Sequence, residues 1–161
     1  MTGPIAHRYL IALGSNMRVA GIGNPRAVLD RAVAALDETG LEILAVSRII
    51  ASEPVGPSLR RYANAALVAE GPQGPEALLV TLHAVEARFG RKRRGLEWSA
   101  RPLDLDIVLW IGGCWHSPEL TIPHRHFRER TFVLRPAAEV APKWRDPVSG
   151  FTLRQLAARA A

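Results

Sequence analysis

The chain has 161 residues, 48% of them hydrophobic and 6% aromatic, and 21 Lys and Arg against 15 Asp and Glu give it a net charge of +6. A chain of this length buries roughly 70% of its unfolded surface, and its single Cys114 excludes an internal disulfide framework and a Cys-rich zinc site. No apolar run approaches the ~18 residues that span a bilayer, and the N-terminus lacks a signal-peptide pattern, so we expect a cytoplasmic protein without a membrane partner. The positive charge favours an anionic partner, but it does not distinguish nucleic acid, a polyphosphate ligand and a merely soluble surface.

The first half of the chain shows the patterns of a strand, a helix and two more strands. Apolar residues alternate in the first element and repeat at helical spacing in the second, which Asn24 caps and Gly40 ends. A stiff loop rich in Pro and Gly separates the last two strands. The four elements are predicted, in order, near Arg8 to Leu13, Pro25 to Leu36, Leu41 to Ile50 and Tyr62 to Ala69.

The second half adds a helix, a cationic loop, a strand and a C-terminal extension. The helix is terminated by Gly90, and two glycines after the strand suit a hairpin turn. Thr152 and Gln155 have the spacing of a capping box, which predicts a short C-terminal helix. The helix, strand and hairpin are predicted at Pro75 to Phe89, Leu103 to Leu109 and Gly112 to His116.

The order strand, helix, strand, strand, helix, strand predicts an α+β fold of the ferredoxin-like type. In this βαββαβ core an antiparallel sheet has helices packed on it, and here a C-terminal hairpin and helix are added. The chain shows no internal repeat and no long linker, so residues 1–161 are expected to form one domain.

Two acidic residues on the last core strand are the most informative chemical feature. In a strand, Asp104 and Asp106 lie on one face, while Leu103, Leu105 and Ile107 lie on the other. Two carboxylates ~6–7 Å apart repel each other by about 1–3 kcal/mol, so a partner should neutralise them. A pair of Mg²⁺ ions shared with a nucleotide's phosphates suits such oxygen ligands, and an acidic face that is simply hydrated is the alternative.

A cluster of cations precedes this pair and supports a phosphate partner. Trp98 lies among these cations, which are Arg91, Lys92, Arg93, Arg94 and Arg101. Guanidinium groups beside a metal-binding carboxylate pair match a triphosphate. The alternatives are a solvated basic loop or a nucleic-acid contact with Trp98 as a stacking platform, although no helix-turn-helix or RNP-like pattern accompanies it.

Two further segments carry candidate binding residues. His124 is followed by several cations up to Arg130 and suits phosphate contacts; a zinc site with His126 lacks further ligands at suitable spacing. Tyr62 and Asn64 share one strand face and suit a flat heterocycle, with ordinary sheet packing as the alternative.

Together these motifs resemble the 6-hydroxymethyl-7,8-dihydropterin pyrophosphokinases, a family of folate-pathway enzymes with a ferredoxin-like fold. The match runs from the turn at Leu13 to Asn16 as far as Ala141-Pro142. Its most specific parts, in chain order, are Gly90-Arg91, Trp98, Arg101, Leu103 to Ile107, Pro123-His124, Arg130 and Phe132 to Leu134.

The resemblance implies transfer of pyrophosphate from ATP to the pterin's hydroxymethyl group, with release of AMP, by a monomeric enzyme that has no nucleic-acid partner. It also implies roles for site residues. Asp104 and Asp106 would bind two Mg²⁺ ions, and Arg91, Arg101 and both aspartates would be catalytic. ATP would contact Arg91, Arg93, Trp98, Arg101, Leu120, Thr121, His124 and Arg130, and the pterin would contact Ser52, Glu53, Pro54, Val55, Tyr62, Asn64 and Phe132.

The sequence departs from the family pattern at Ala100, Pro102, Arg125 and the connection from Ser58 to Arg61. None of these departures removes a proposed metal ligand or phosphate contact, so an active enzyme is expected. The rival hypotheses are a nucleic-acid-binding module and a relative that binds pterin or nucleotide without catalysis.

Overall fold

The computed structural model describes residues 5–52, 61–90 and 101–161. Its main sheet has five strands, and every pairing in it is antiparallel. Four strands run in the order β2-β4-β1-β5, and β3 also pairs with β4. The strands are β1 (His7–Ser15), β2 (Glu42–Val46), β3 (Ile50–Ser52), β4 (Tyr62–Gly71) and β5 (Asp104–Trp110).

Helices cover both faces of this sheet. One face packs against α1 (Pro25–Asp37) and α2 (Pro75–Arg88), and the other packs against α3 (Thr131–Val140) and α4 (Leu153–Ala160). Alternation along the strands separates the two cores, because odd-numbered Tyr9 and Ile11 face α1 and α2 while even-numbered Leu10 faces α3 and α4. When β2 and β3 are counted as one interrupted strand, the order is βαββαβ, and this order and the antiparallel sheet confirm the ferredoxin-like α+β prediction.

Local sequence signals explain where three of the helices begin. Asn24 accepts a hydrogen bond from the Ala27 N–H, and Thr152 forms the predicted capping box with Gln155. The α2 helix begins at Pro75, whose missing N–H costs nothing in the first turn. None of the helices in the described ranges has the length and apolar character needed to cross a bilayer.

The prediction of one continuous strand from Leu41 to Ile50 is wrong. The structure splits it into β2 and β3, because buried Ser47 interrupts the run. The Ser47 hydroxyl accepts from the Ala66 N–H at 2.9 Å and donates to the Arg48 carbonyl at 2.8 Å. The Ser47 hydroxyl therefore replaces one backbone acceptor of the sheet and lets the chain change direction.

Two features near the C-terminus also differ from the sequence prediction. Gly113 does form a tight turn with Trp110, but β6 (Trp115–His116) pairs with β7 (Thr121–Ile122) and not with β5. The segment after His124, for which the sequence predicts no helix, forms a 3-10 turn (Phe127–Glu129) and then α3. No side chain caps the start of α3 and Pro136 lies inside it, so the usual helix signals are missing.

Candidate active site

A cleft lies on the face of the sheet that carries α3, where β1 pairs with both neighbours. Gly14 is opposite Asn64 on β4 and opposite Asp104 on β5, and Ala12 is opposite Asp106. The floor of the cleft therefore consists of two small residues, with an amide on one side and two carboxylates on the other. A Cβ at Gly14 would lie 3.6 Å from Asn64 Oδ1 and 3.7 Å from Tyr62 Cδ1, so this glycine leaves the floor open.

The two carboxylates stand between two cavities. As predicted from the alternation, Asp104 and Asp106 share a face of β5, while Leu105 is buried on the other. Their side chains are 22% and 39% exposed. Both line the cleft described above and also a second cavity between α2, β5 and the β6-β7 hairpin. A molecule in either cavity would therefore reach the same pair of carboxylates.

Arg101 is held beside this pair through its backbone and its side chain. Its N–H donates to Asn16 Oδ1 at 2.7 Å, and its carbonyl accepts from the Asn16 N–H at 3.2 Å. Its guanidinium Nη1 lies 3.2 Å from Asp104 Oδ2 and lines the cleft. Asn16 is 3% exposed, and its Nδ2 has no hydrogen-bond partner in the part of the chain that the structure describes.

The rest of the first cavity combines aromatic, amide and cationic groups. Tyr62 and Asn64 come from β4, and Phe132 comes from the first turn of α3. Asn64 Nδ2 donates to Ser52 Oγ at 2.6 Å, which orients the amide so that its Oδ1 lies over Gly14. Arg130 lies 5.7 Å from the centre of the Phe132 ring, close enough for a cation–π contact. Two rings and an oriented amide suit a flat polar heterocycle.

The second cavity brings together Leu120, Thr121 and His124 from the hairpin side. Burial, together with the charges of Arg130 and His126, lowers the pKa of His124 to about 4, although Asp104 acts in the opposite direction. His124 is therefore neutral at pH 7. It does not form an ion pair with Asp106, although its Nε2 lies 3.9 Å from Asp106 Oδ2. Because Nδ1 accepts from the His126 N–H at 3.1 Å, the proton resides on Nε2, which faces Asp106.

The carboxylate pair fits divalent metal ions that share their coordination with a substrate. Mg²⁺ prefers oxygen ligands and is commonly held by one or two carboxylates together with phosphates and water. Among residues 5–52, 61–90 and 101–161, no group of three or more His, Cys, Asp or Glu side chains surrounds one metal position. Asp104 and Asp106 would therefore supply only part of each coordination sphere.

Most of the predicted site residues lie around these two cavities. The first contains Ser52, Tyr62, Asn64, Arg101, Asp104, Asp106, Arg130 and Phe132. The second contains both aspartates again with Leu120, Thr121 and His124. The remaining predicted residues, which are Glu53, Pro54, Val55, Arg91, Arg93 and Trp98, lie outside the described residues.

Several residues that line or support the two cavities were not assigned a role from the sequence. His83 and Glu86 of α2 line the second cavity, and Asn16 holds Arg101. One signal was present: Glu86 stands four residues after Leu82 and three before Phe89, on the apolar side of the helix. A charged residue in such a stripe is unusual unless it has a buried partner.

The amino-acid sequence matches the model of the 7,8-dihydro-6-hydroxymethylpterin-pyrophosphokinase (HPPK) family over residues 10–142. Two curated relatives are named 2-amino-4-hydroxy-6-hydroxymethyldihydropteridine pyrophosphokinase. The Synechocystis sp. protein is 39% identical over 86% of this chain and 73% of its own length. The Pseudomonas aeruginosa protein is 39% identical over 87% of this chain and 84% of its own length.

A solved structure shares the fold. The Plasmodium falciparum HPPK-DHPS crystal structure with pterin and p-hydrobenzoate has a TM-score of 0.71 and 14% identity, covering 98% of this chain. This chain spans 42% of that longer chain. The shared fold, the family match and the relatives agree, and the chain belongs to the 7,8-dihydro-6-hydroxymethylpterin-pyrophosphokinase family.

Proposed function

We propose that the junction between the two cavities is where the protein carries out its family's reaction. As a member of the family it transfers a pyrophosphoryl group from ATP to the hydroxymethyl group of 6-hydroxymethyl-7,8-dihydropterin, a step of folate biosynthesis. The observation that carries the location is that Asp104 and Asp106 line both cavities at once. Two substrates that must react with each other need such a meeting point.

The chemistry asks for positioning and charge neutralisation more than for a nucleophilic side chain. The hydroxymethyl oxygen attacks the β-phosphorus of ATP and releases its proton to solvent, while the bond from that phosphorus to the α,β-bridging oxygen breaks. AMP leaves with the bridging oxygen. Negative charge spreads over the phosphoryl oxygens during transfer, so fixed cations and hydrogen-bond donors around them lower the barrier.

In this proposal the first cavity binds the pterin. Tyr62 and Phe132 contact the faces of the ring, and Asn64, oriented by Ser52, hydrogen-bonds its edge. Glu53, Pro54 and Val55 are proposed to complete the pterin contacts, as the family resemblance implies. The small residues of the cleft floor leave room for the ring beside the carboxylates.

The second cavity binds ATP, with its phosphates directed toward the junction. Leu120 and Thr121 lie where they can contact the nucleoside, and the Nε2–H of neutral His124 is available to donate to a phosphate oxygen. Arg101 and Arg130 line the first cavity together with the two aspartates and supply positive charge there. Arg91, Arg93 and Trp98 are proposed to join them, again on the family resemblance.

Asp104 and Asp106 are proposed to hold two Mg²⁺ ions. Bound there, the ions would neutralise phosphate charge and orient the triphosphate. The carboxylates themselves hold the cations at the point where the cavities meet, and the guanidinium of Arg101 beside Asp104 limits repulsion within the pair. Chelation with EDTA should abolish turnover and added Mg²⁺ should restore it; full turnover in EDTA would refute the metal role.

The whole chain is proposed to act as one catalytic domain and as a monomer. The α4 helix supports the first point, because Leu153 and Leu156 are buried in the same core as Leu10 of β1. A C-terminal unit that shares its core with the central strand does not fold separately.

The product pattern tests the reaction directly. Wild-type protein incubated with ATP, Mg²⁺ and 6-hydroxymethyl-7,8-dihydropterin should give AMP and the pterin diphosphate in equal amounts, as resolved by ³¹P NMR. Formation of ADP, or AMP without the pterin ester, would contradict pyrophosphoryl transfer.

A further inference from the structure

Glu86 is a buried carboxylate beside the proposed metal-binding strand. It lies in the last turns of α2, is 1% exposed and is surrounded in sequence by buried Leu82, Val85 and Phe89. Its Oε2 accepts a hydrogen bond from the backbone N–H of Leu105 at 2.9 Å. Leu105 is the residue between Asp104 and Asp106.

The position of this hydrogen bond in the sheet is unusual. Among the described strands, β5 pairs with β1 alone, so no described strand supplies an acceptor on its other side. A buried backbone N–H at such a position needs an acceptor, and here a helix side chain supplies what a neighbouring strand would otherwise provide. Thus the Asp104–Asp106 segment pairs with β1, and Glu86 accepts from the Leu105 N–H in the middle of the segment.

The contact bears on the site because Leu105 and the two aspartates belong to one short backbone segment. If the hydrogen bond from the Leu105 N–H to Glu86 were lost, the strand pleat would relax and the distance between the two carboxylates would change. The Leu105 side chain alone does not fix that spacing, because it packs on the opposite face of the sheet. Glu86 also lines the second cavity with both aspartates.

We infer that Glu86 is a positioning residue for pyrophosphoryl transfer: by accepting from the Leu105 N–H, it holds Asp104 and Asp106 at the spacing that the reaction requires. The inference rests on the proposed role of the two aspartates. It assigns no contact between Glu86 and a substrate, and it attributes the role of Glu86 to its acceptor oxygen.

Three variants of Glu86 distinguish these properties. Glu86→Gln keeps an acceptor oxygen at the same reach and replaces the carboxyl group by an amide. Glu86→Leu keeps the size and removes the acceptor, and Glu86→Asp keeps the carboxyl group but is one carbon too short. Glu38→Gln is the control, because the Glu38 side chain is 71% exposed on the surface of α1's C-terminal end.

The first measurement is hydrogen exchange of the Leu105 N–H by NMR, without metal or substrate. We expect its protection to fall by about tenfold or more in Glu86→Leu and Glu86→Asp and to be retained in Glu86→Gln and Glu38→Gln. Leu67 N–H of β4 is the internal reference for global stability. If Glu86→Leu fails to fold, Glu86→Asp provides the comparison.

The second measurement is turnover of the same samples. We expect kcat to fall by about 100-fold in the variants that lose the acceptor, with an unchanged KM for the pterin, and to be largely rescued in Glu86→Gln. The inference would be overturned if a variant with an unprotected Leu105 N–H kept a kcat near the wild-type value. It would also be overturned if Glu86→Gln kept the Leu105 N–H protected from exchange but lost turnover. If wild type makes no AMP, the proposed function fails, whereas the exchange result still reports the hydrogen bond.

Discussion

Single residues decide the shape and charge of the cleft. Gly14 is the clearest case, because the register places it between Asn64 and Asp104 in one row of the sheet. Any larger side chain at this position would project into the space where we place the pterin. The absence of a side chain on β1 is therefore as important to the site as the carboxylates on β5.

Substitution of Gly14 should weaken pterin binding in proportion to side-chain size. Gly14→Ala should be tolerated, because its Cβ would meet Asn64 Oδ1 at 3.6 Å, an ordinary van der Waals distance. Gly14→Val should raise the Kd of the pterin by about tenfold or more through overpacking. Isothermal titration calorimetry measures both, and equal affinities for the two variants would argue against a pterin on this floor.

The protonation state of His124 gives a second test at this scale. Because burial and the neighbouring charges lower its pKa to about 4, His124 should stay neutral as pH falls from 8 to 5. In ¹H–¹⁵N spectra of the metal-free protein, Nε2 should carry the proton and Nδ1 should behave as an acceptor. A titration of His124 near pH 6.5 would contradict the lowered pKa and the burial of its ring.

Strands and helices bring these residues together, and some of these elements are predicted from the sequence much better than others. Alternation along β5 predicts that Asp104 and Asp106 share a face, and the caps at Asn24 and Thr152 predict two helix starts. The α3 helix has no cap and contains Pro136, so packing on the sheet, which local pattern does not reveal, must stabilise it. Pairing of β6 with β7 likewise depends on tertiary context.

An ion pair ties the segment before α3 to the loop before α4. Arg128 donates to both oxygens of buried Asp146, at 2.6 and 2.7 Å. Burial acts to raise the pKa of Asp146, but hydrogen bonds from Arg128, Ser149 and the Val148 N–H outweigh it and hold the pKa at about 2. The carboxylate therefore stabilises the fold in its ionised form.

Asp146→Asn should lower the free energy of unfolding by about 2–4 kcal/mol at pH 7, because it leaves Arg128 without its charged partner. The folded-state pKa lies below the unfolded value of 3.8, so this stabilisation is complete above pH 5 and disappears between about pH 4 and pH 2. Urea unfolding of both proteins across this range gives the difference. A difference that is constant down to pH 2 would contradict the assignment.

At the scale of the whole molecule, charge and surface hydrophobicity bear on the partners. By itself, the net charge of +6 is compatible with either a nucleic acid or a polyphosphate as the anionic partner. The family match identifies ATP as the anionic substrate. Two of the large exposed apolar residues of the described chain, Leu44 and Val46, lie on the same edge strand, β2. Two such residues make a patch far smaller than a stable interface requires.

The proposed monomeric state can be tested in solution. Sedimentation velocity over a wide concentration range should give a single species near 17.6 kDa. A concentration-dependent dimer would contradict this expectation, and its dissociation by Leu44→Lys would locate the interface on β2.

Asp104 and Asp106, at the junction of two cavities, are proposed to support pyrophosphoryl transfer. The direct measurement is the rate of AMP formation from ATP and 6-hydroxymethyl-7,8-dihydropterin by wild type, Asp106→Asn and the control Glu38→Gln. Asp106→Asn should be folded and slower by about 10³-fold or more, while the control matches wild type. An Asp106→Asn protein that forms AMP at close to the wild-type rate would contradict the claim.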